Sequence, residues 1–164
     1  MAITPVQPAS ITRYFGVGTS QVLFCTSIAS PAAPTFAELD AGTELTRDIN
    51  DLSGWTTSSE FIDVPDMKTR YTGKIPGRIS SEDSSFTFYN DEDQGAGDVG
   101  ALLPRDTEGY IVIADGGLAS GIGDVFHVKV GSNSMVRSLD DAVKRMVSFA
   151  ILDEPSEGVT LPQS

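Results

Sequence analysis

The chain has 164 residues, 40% of them apolar, and a formal net charge of −12. That length suits one domain able to bury roughly 70% of its unfolded surface, and with Cys25 as the single cysteine neither an intrachain disulfide nor a cysteine-rich metal site can be built. The acidity argues against a nucleic-acid ligand, which needs a Lys/Arg patch to neutralise phosphates, and no apolar run approaches the ~20 residues of a membrane-spanning helix.

Residues 1–20 read as an extended arm. Pro5 and Pro8 disfavour regular structure, and Ile11, Tyr14 and Phe15 form an apolar patch that is expected to dock on its own domain or on a neighbour. Met1 to Ser10 carries no basic residue and no long apolar run, so a secretory signal is not expected there. A first strand is predicted over Gln21 to Ile28, closed by the breaker run Ser30 to Pro34. Thr43 to Ile49 alternates weakly as a second strand, and Gly54 to Asp63 forms a third, with Trp55 as a core residue.

Pro65 to Ser81 then reads as a long loop or loose hairpin. It holds Lys68, Arg70, Lys74 and Arg78, four of the chain's 11 basic residues. A basic segment on an acidic subunit suits head-to-tail contact between copies, since such an interface need not be self-complementary. The plainer reading is a solvated loop whose cations pair with Asp63, Asp66, Glu82 and Asp83.

Ser85 to Tyr89 alternates aromatic and polar residues, which turns Phe86 and Phe88 to one face. The acidic loop Asp91-Glu92-Asp93 follows. Asp98 is placed to cap a short helix over Val99 to Leu103, which Pro104 ends. Tyr110 to Ala114 is continuously apolar, the pattern of a strand covered on both faces. After a glycine-rich connection, Val125 to Val130 points Phe126, Val128 and Val130 inward and His127 and Lys129 outward. Ser138 to Leu152 fits either a helix opened by Ser138 and Asp141 or a strand from about Val143. Its β-branched far end favours the strand. Asp153 to Ser164 is expected to be a C-terminal tail with little to bury. The sum is a mainly β domain over residues 21–152, a sandwich or barrel of two packed, mostly antiparallel sheets with one short helix.

Catalytic signals are weak. His127 would have to serve any Ser-His-Asp or Cys-His arrangement alone, and no Gly-x-Ser-x-Gly elbow occurs. Gly16-Val17-Gly18-Thr19 lacks the lysine of a phosphate loop, and Gly121-Ile122-Gly123 lacks the third glycine of a dinucleotide fingerprint. Asp91 to Gly95 departs from a calcium loop, with its glycine one place early and Leu102 where the closing acid belongs. No catalytic residue, cofactor or metal is assigned.

Three stretches carry a resemblance. Ala9-Ser10-Ile11-Thr12-Arg13-Tyr14-Phe15-Gly16-Val17-Gly18-Thr19-Ser20 resembles the N-terminal arm of major tail proteins from phages of actinobacteria. Pro34 to Thr46, with Gly54-Trp55 beyond it, is similar to the segment after their first strand. Lys74-Ile75-Pro76-Gly77-Arg78 followed by Asp83 to Tyr89 resembles their loop-then-strand signature, and Leu103-Pro104-Arg105 and Phe149-Ala150-Ile151 keep the same order. The resemblance implies a tail tube subunit, not an enzyme: hexameric rings stacked around a tape-measure protein, bounded by tail-tip and tail-terminator proteins, with DNA passing through unbound and no membrane contact. It places the protein in the virion, made in the host cytoplasm. Ile11, Tyr14, Phe15, Lys68, Arg70, Lys74 and Arg78 are the expected inter-subunit contacts, and Glu82, Asp83, Asp91, Glu92 and Asp93 the expected lumen-facing or acidic-surface residues. The alternatives are a capsid decoration or head-completion β-sandwich protein and, more remotely, a carboxylate-dependent hydrolase.

Overall fold

Strand β1, Gln21–Cys25, alternates its side chains between two separate cores, so every residue from Val22 on is buried. This is found in a computed structural model that describes residues 16–90, 92 and 98–163. After β1 the chain passes the predicted breaker and forms helix α1, Phe36–Asp40, which the sequence reading left out. Its start is held by Glu38, whose carboxylate accepts from the Thr35 amide and hydroxyl and from the Ala29 amide, each at 2.8 Å. The predicted strand Thr43 to Ile49 divides into β2, Thr43–Glu44, and β3, Ile49–Ser53. Between them Leu45 turns into the core and donates to Val22 O.

Strands β4, Thr57–Val64, and β5, Gly73–Ser81, form a two-stranded sheet of their own. Of the two readings of this segment, loop or loose hairpin, the hairpin is the one found, with regular strand over much of its length and a bulge between the Ser59 and Phe61 pairs that absorbs Gly77 and Arg78. The remaining strands are β6, Ser84–Tyr89; β7, Glu108–Ala114; β8, Ile122–Val136; β9, Lys144–Ile151; and β10, Ser156–Thr160. Helix α2, Val99–Leu102, lies between β6 and β7, with the Asp98 side chain accepting from Gly100 N at 3.1 Å.

All pairings are antiparallel, and the large sheet runs β2-β1-β7-β8-β9-β6-β3, with β10 beside the first half of β8. Val22 and Phe24 near one end share a core with Phe86 and Phe88 near the other, so the sheet curls over on itself. Trp55 plugs this core, stacked on Phe86 at 4.5 Å and edge-on to Phe126 at 5.2 Å. The outer face of β1, β7 and β8 carries a second core of Leu23, Cys25, Val112, Ala114 and Val125, covered by Leu39 of α1 and by Leu161.

At the far end one expectation holds and one changes. The favoured strand forms over Lys144–Ile151, with Val147 and Phe149 alternating inward while the backbone pairs with β6 on one side and β8 on the other. The C-terminal segment is not a bare tail: β10 joins the sheet, and Val159 and Leu161 are buried. Two buried apolar side chains suffice to fix a segment whose prolines had suggested otherwise.

Candidate assembly interface

The β4–β5 ribbon is built on a tightly fixed root. Gly54 has φ +81°, and a Cβ there would lie 2.5 Å from Asp83 O, so only glycine fits the approach. Trp55 follows at φ +61°, its amide donating to Ser84 Oγ at 3.0 Å while its ring enters the core. On the return strand Glu82 N donates to Thr56 O at 3.1 Å, and Thr57 Oγ1 donates to Glu157 Oε1 at 2.9 Å. The aromatic plug thus anchors the first residues of a ribbon that is otherwise solvent-facing.

Beyond the root the ribbon exposes what a domain normally hides. Phe61 is 61% exposed, Ile62 52%, Ile75 51% and Ile79 60%, and at the tip Met67 and Tyr71 are almost fully exposed. Exposed apolar side chains of this size on a ribbon make it the candidate interaction surface. The sequence reading singled out the ribbon's cations and missed these residues; the pairing Ile62↔Ile75 is a long-range feature that Gly73, Pro76 and Gly77 disguise as loop composition.

Of the basic residues, Lys74 pairs with Asp63 at 3.4 Å across the ribbon, both ends exposed, a contact worth under about 1 kcal/mol. Lys68, Arg70 and Arg78 form no ion pair with any described residue. Local neutralisation by Asp66, Glu82 and Asp83 therefore does not occur. Glu82 and Asp83 are exposed at the turn into β6, and Glu92 is exposed as well. Ile11, Tyr14, Phe15, Asp91 and Asp93 lie outside the described residues.

His127 has a structural environment. Nδ1 lies 2.6 Å from Asp153 Oδ2 and Nε2 3.0 Å from Glu108 Oε1, with the ring stacked on Tyr110 at 4.7 Å. The Asp153 hydrogen bond, helped by Glu108 and opposed by partial burial, raises its pKa above the ordinary value. With both nitrogens engaged by carboxylates, neither is left to take a proton from a nucleophile.

The sequence model of a family described as phage tail tube protein matches residues 8–164. The chain belongs to the phage tail tube protein family. As a tail tube protein it is a structural subunit of a phage tail, and membership implies a non-enzymatic role in the virion. Solved structures agree on the mainly β fold. A sheath/tube terminator of the extracellular contractile injection system PVC aligns with TM-score 0.60 and 12% identity, covering 89% of this chain and 97% of its own. The SPP1 tail tube gives 0.55 and 13%, covering 88% and 78% respectively, and the tube-terminating cap of the anti-feeding prophage 0.54 and 14%, covering 92% and 95%. No curated protein sequence matches significantly.

Proposed function

We propose that six copies of this tail tube protein close into a ring, and that rings stack head to tail through the β4–β5 ribbon into a conduit around a tape-measure protein. The observation that carries this reading is the ribbon: apolar, bearing three cations without ion partners among the described residues, and projecting from a body that is otherwise acidic. It carries four basic and three acidic residues, a charge of +1, which leaves −13 of the total −12 on the remainder of the chain. Unlike charges on one subunit favour the heterologous contact that stacks without closing.

The arm around Ile11, Tyr14 and Phe15 is proposed as a second inter-ring contact. Lateral closure falls to the strands that end the large sheet, β2 and β3, whose pairing between neighbours would remove the edges that invite uncontrolled aggregation. At six times −12, a ring holds −72 formal charges, and the share facing the lumen, to which we assign Glu82, Asp83, Asp91, Glu92 and Asp93, would repel sliding DNA so that it passes without adhesion. Assembly takes place in the host cytoplasm, nucleated by tail-tip proteins and ended by a tail terminator.

Reversing two ribbon charges tests the stacking role. Arg70→Glu with Arg78→Glu is expected to abolish sedimenting tubes at protein concentrations where the wild type forms them, with unchanged monomer melting. Wild-type tubes from the double variant would refute the ribbon's role.

A further inference from the structure

Strands β7 and β8 pair Glu108 with Lys129 and Tyr110 with His127, so these four side chains share one face of the sheet. The His127 ring, stacked on Tyr110, reaches two carboxylates that come from different elements. Nε2 meets Glu108, its diagonal neighbour on β7, at 3.0 Å. Nδ1 meets Asp153, in the connection between β9 and β10, at 2.6 Å. Leu152 N donates to His127 O at 2.9 Å, which fastens the start of that connection to β8 as well. The ring is largely covered, whereas both carboxylates are exposed to water and free to turn.

Only the imidazolium carries hydrogen on both nitrogens. The double contact therefore belongs to the charged ring; a neutral ring donates once and sets a lone pair against the other carboxylate. Two features decide which carboxylate is kept. The Nδ1 contact to Asp153 is the shorter, and Asp153 forms no other ion pair with a described residue. Glu108, by contrast, has Lys129 directly opposite on β8, a cation held only by Asp106 at 3.8 Å. The other charges nearby do not compete: Asp124 accepts from Gly158 N, Glu157 of β10 accepts from Thr57, and Thr26 to Ile28 beside the ring are uncharged. Glu154 follows Asp153 in the connection and adds a further negative charge.

We infer that His127 is a pH-operated bridge: charged, it ties β7 to the β9–β10 connection; neutral, it keeps Asp153 through Nδ1–H and releases Glu108 to Lys129. Glu108 lines a cleft of about 320 Å³ with Thr26, Ser27, Ile28 and Tyr110, so its release reshapes that part of the subunit surface. Asp153 chiefly, and Glu108 with it, raise the ring's pKa above the ordinary 6.5. The bridge is complete below that ordinary value and is lost as pH rises through the folded one. The device belongs to the single subunit and does not depend on how rings stack.

The test is NMR of the full-length, ¹⁵N-labelled subunit titrated from about pH 5 to pH 9, where the chain's single histidine gives one imidazole spectrum. Wild type should show both nitrogens protonated at the acid end and the Nδ1–H tautomer at the alkaline end. Glu108→Gln and Asp153→Ala should each lower the midpoint, and Asp153→Ala should also abolish the preference for Nδ1–H. Lys129→Met should raise the midpoint, by leaving Glu108 to the ring. An Nε2–H tautomer in alkaline wild type would overturn the assignment, since Glu108 would then be the carboxylate kept. A midpoint that neither carboxylate substitution moves would overturn the bridge itself. The tautomer is read from wild type alone, so the inference can fail whether or not a variant folds.

Discussion

Phe61→Ala isolates the ribbon's contribution to assembly from its contribution to folding. A Phe side chain offers about 200 Å² for burial. With Phe61 61% exposed, covering that exposed part at about 25 cal/mol per Å² stabilises a contact by about 3 kcal/mol. Alanine keeps roughly a third of that, so the loss is about 2 kcal/mol per subunit, or about thirtyfold in the association constant of one contact. In the free subunit the same side chain touches little, and the substitution should change folding stability by no more than about 0.5 kcal/mol. The assay is the protein concentration at which tubes begin to sediment, measured beside a thermal melt of the unassembled subunit. The threshold should rise at least tenfold while the melting curve stays put. Tubes at the wild-type threshold would refute the reasoning, as would a subunit destabilised by more than about 1 kcal/mol, which would mean that the ring packs on its own body.

Three further outcomes follow from the body. Leu161→Ala should cost about 2–5 kcal/mol by urea denaturation, because the side chain is 1% exposed in the second core; a neutral result would show the C-terminal segment to be dispensable. Gly54→Ala should cost more than about 1 kcal/mol, since the residue sits at φ +81° with a backbone oxygen where its Cβ must go, and a wild-type melting temperature would contradict that. His127 has a folded pKa raised by Asp153 and Glu108, so its contribution is fully present below its unfolded value near 6.5 and is lost as pH rises through the folded value. The urea midpoint of the wild type should therefore fall over that window relative to His127→Gln, and parallel curves would remove the pair from the account.

How much was legible in the sequence depended on whether local pattern and tertiary contact agreed. Phe86 and Phe88, the cap at Asp98 and the doubly covered strand at Ile111 and Val112 were readable because their periodicity matches their burial. Helix α1 was overlooked although its signal is present: Thr35 followed three residues later by Glu38 is a capping box, overshadowed by the prolines before it. The far half of β8 was missed because Gly131-Ser132-Asn133-Ser134 has the composition of a turn. Pairing with β9 makes it a strand, with Gly131 taking the bulge between Val130 and Ser132. The ribbon's cations were visible from composition, whereas its two apolar faces depend on a cross-strand register that no local window contains.

Electron microscopy of the purified, full-length protein, alone and with tail-tip components, tests the central claim most directly. Hollow tubes or hexameric rings are expected. Discrete monomers at high concentration, persisting when tail-tip components are present, would contradict it.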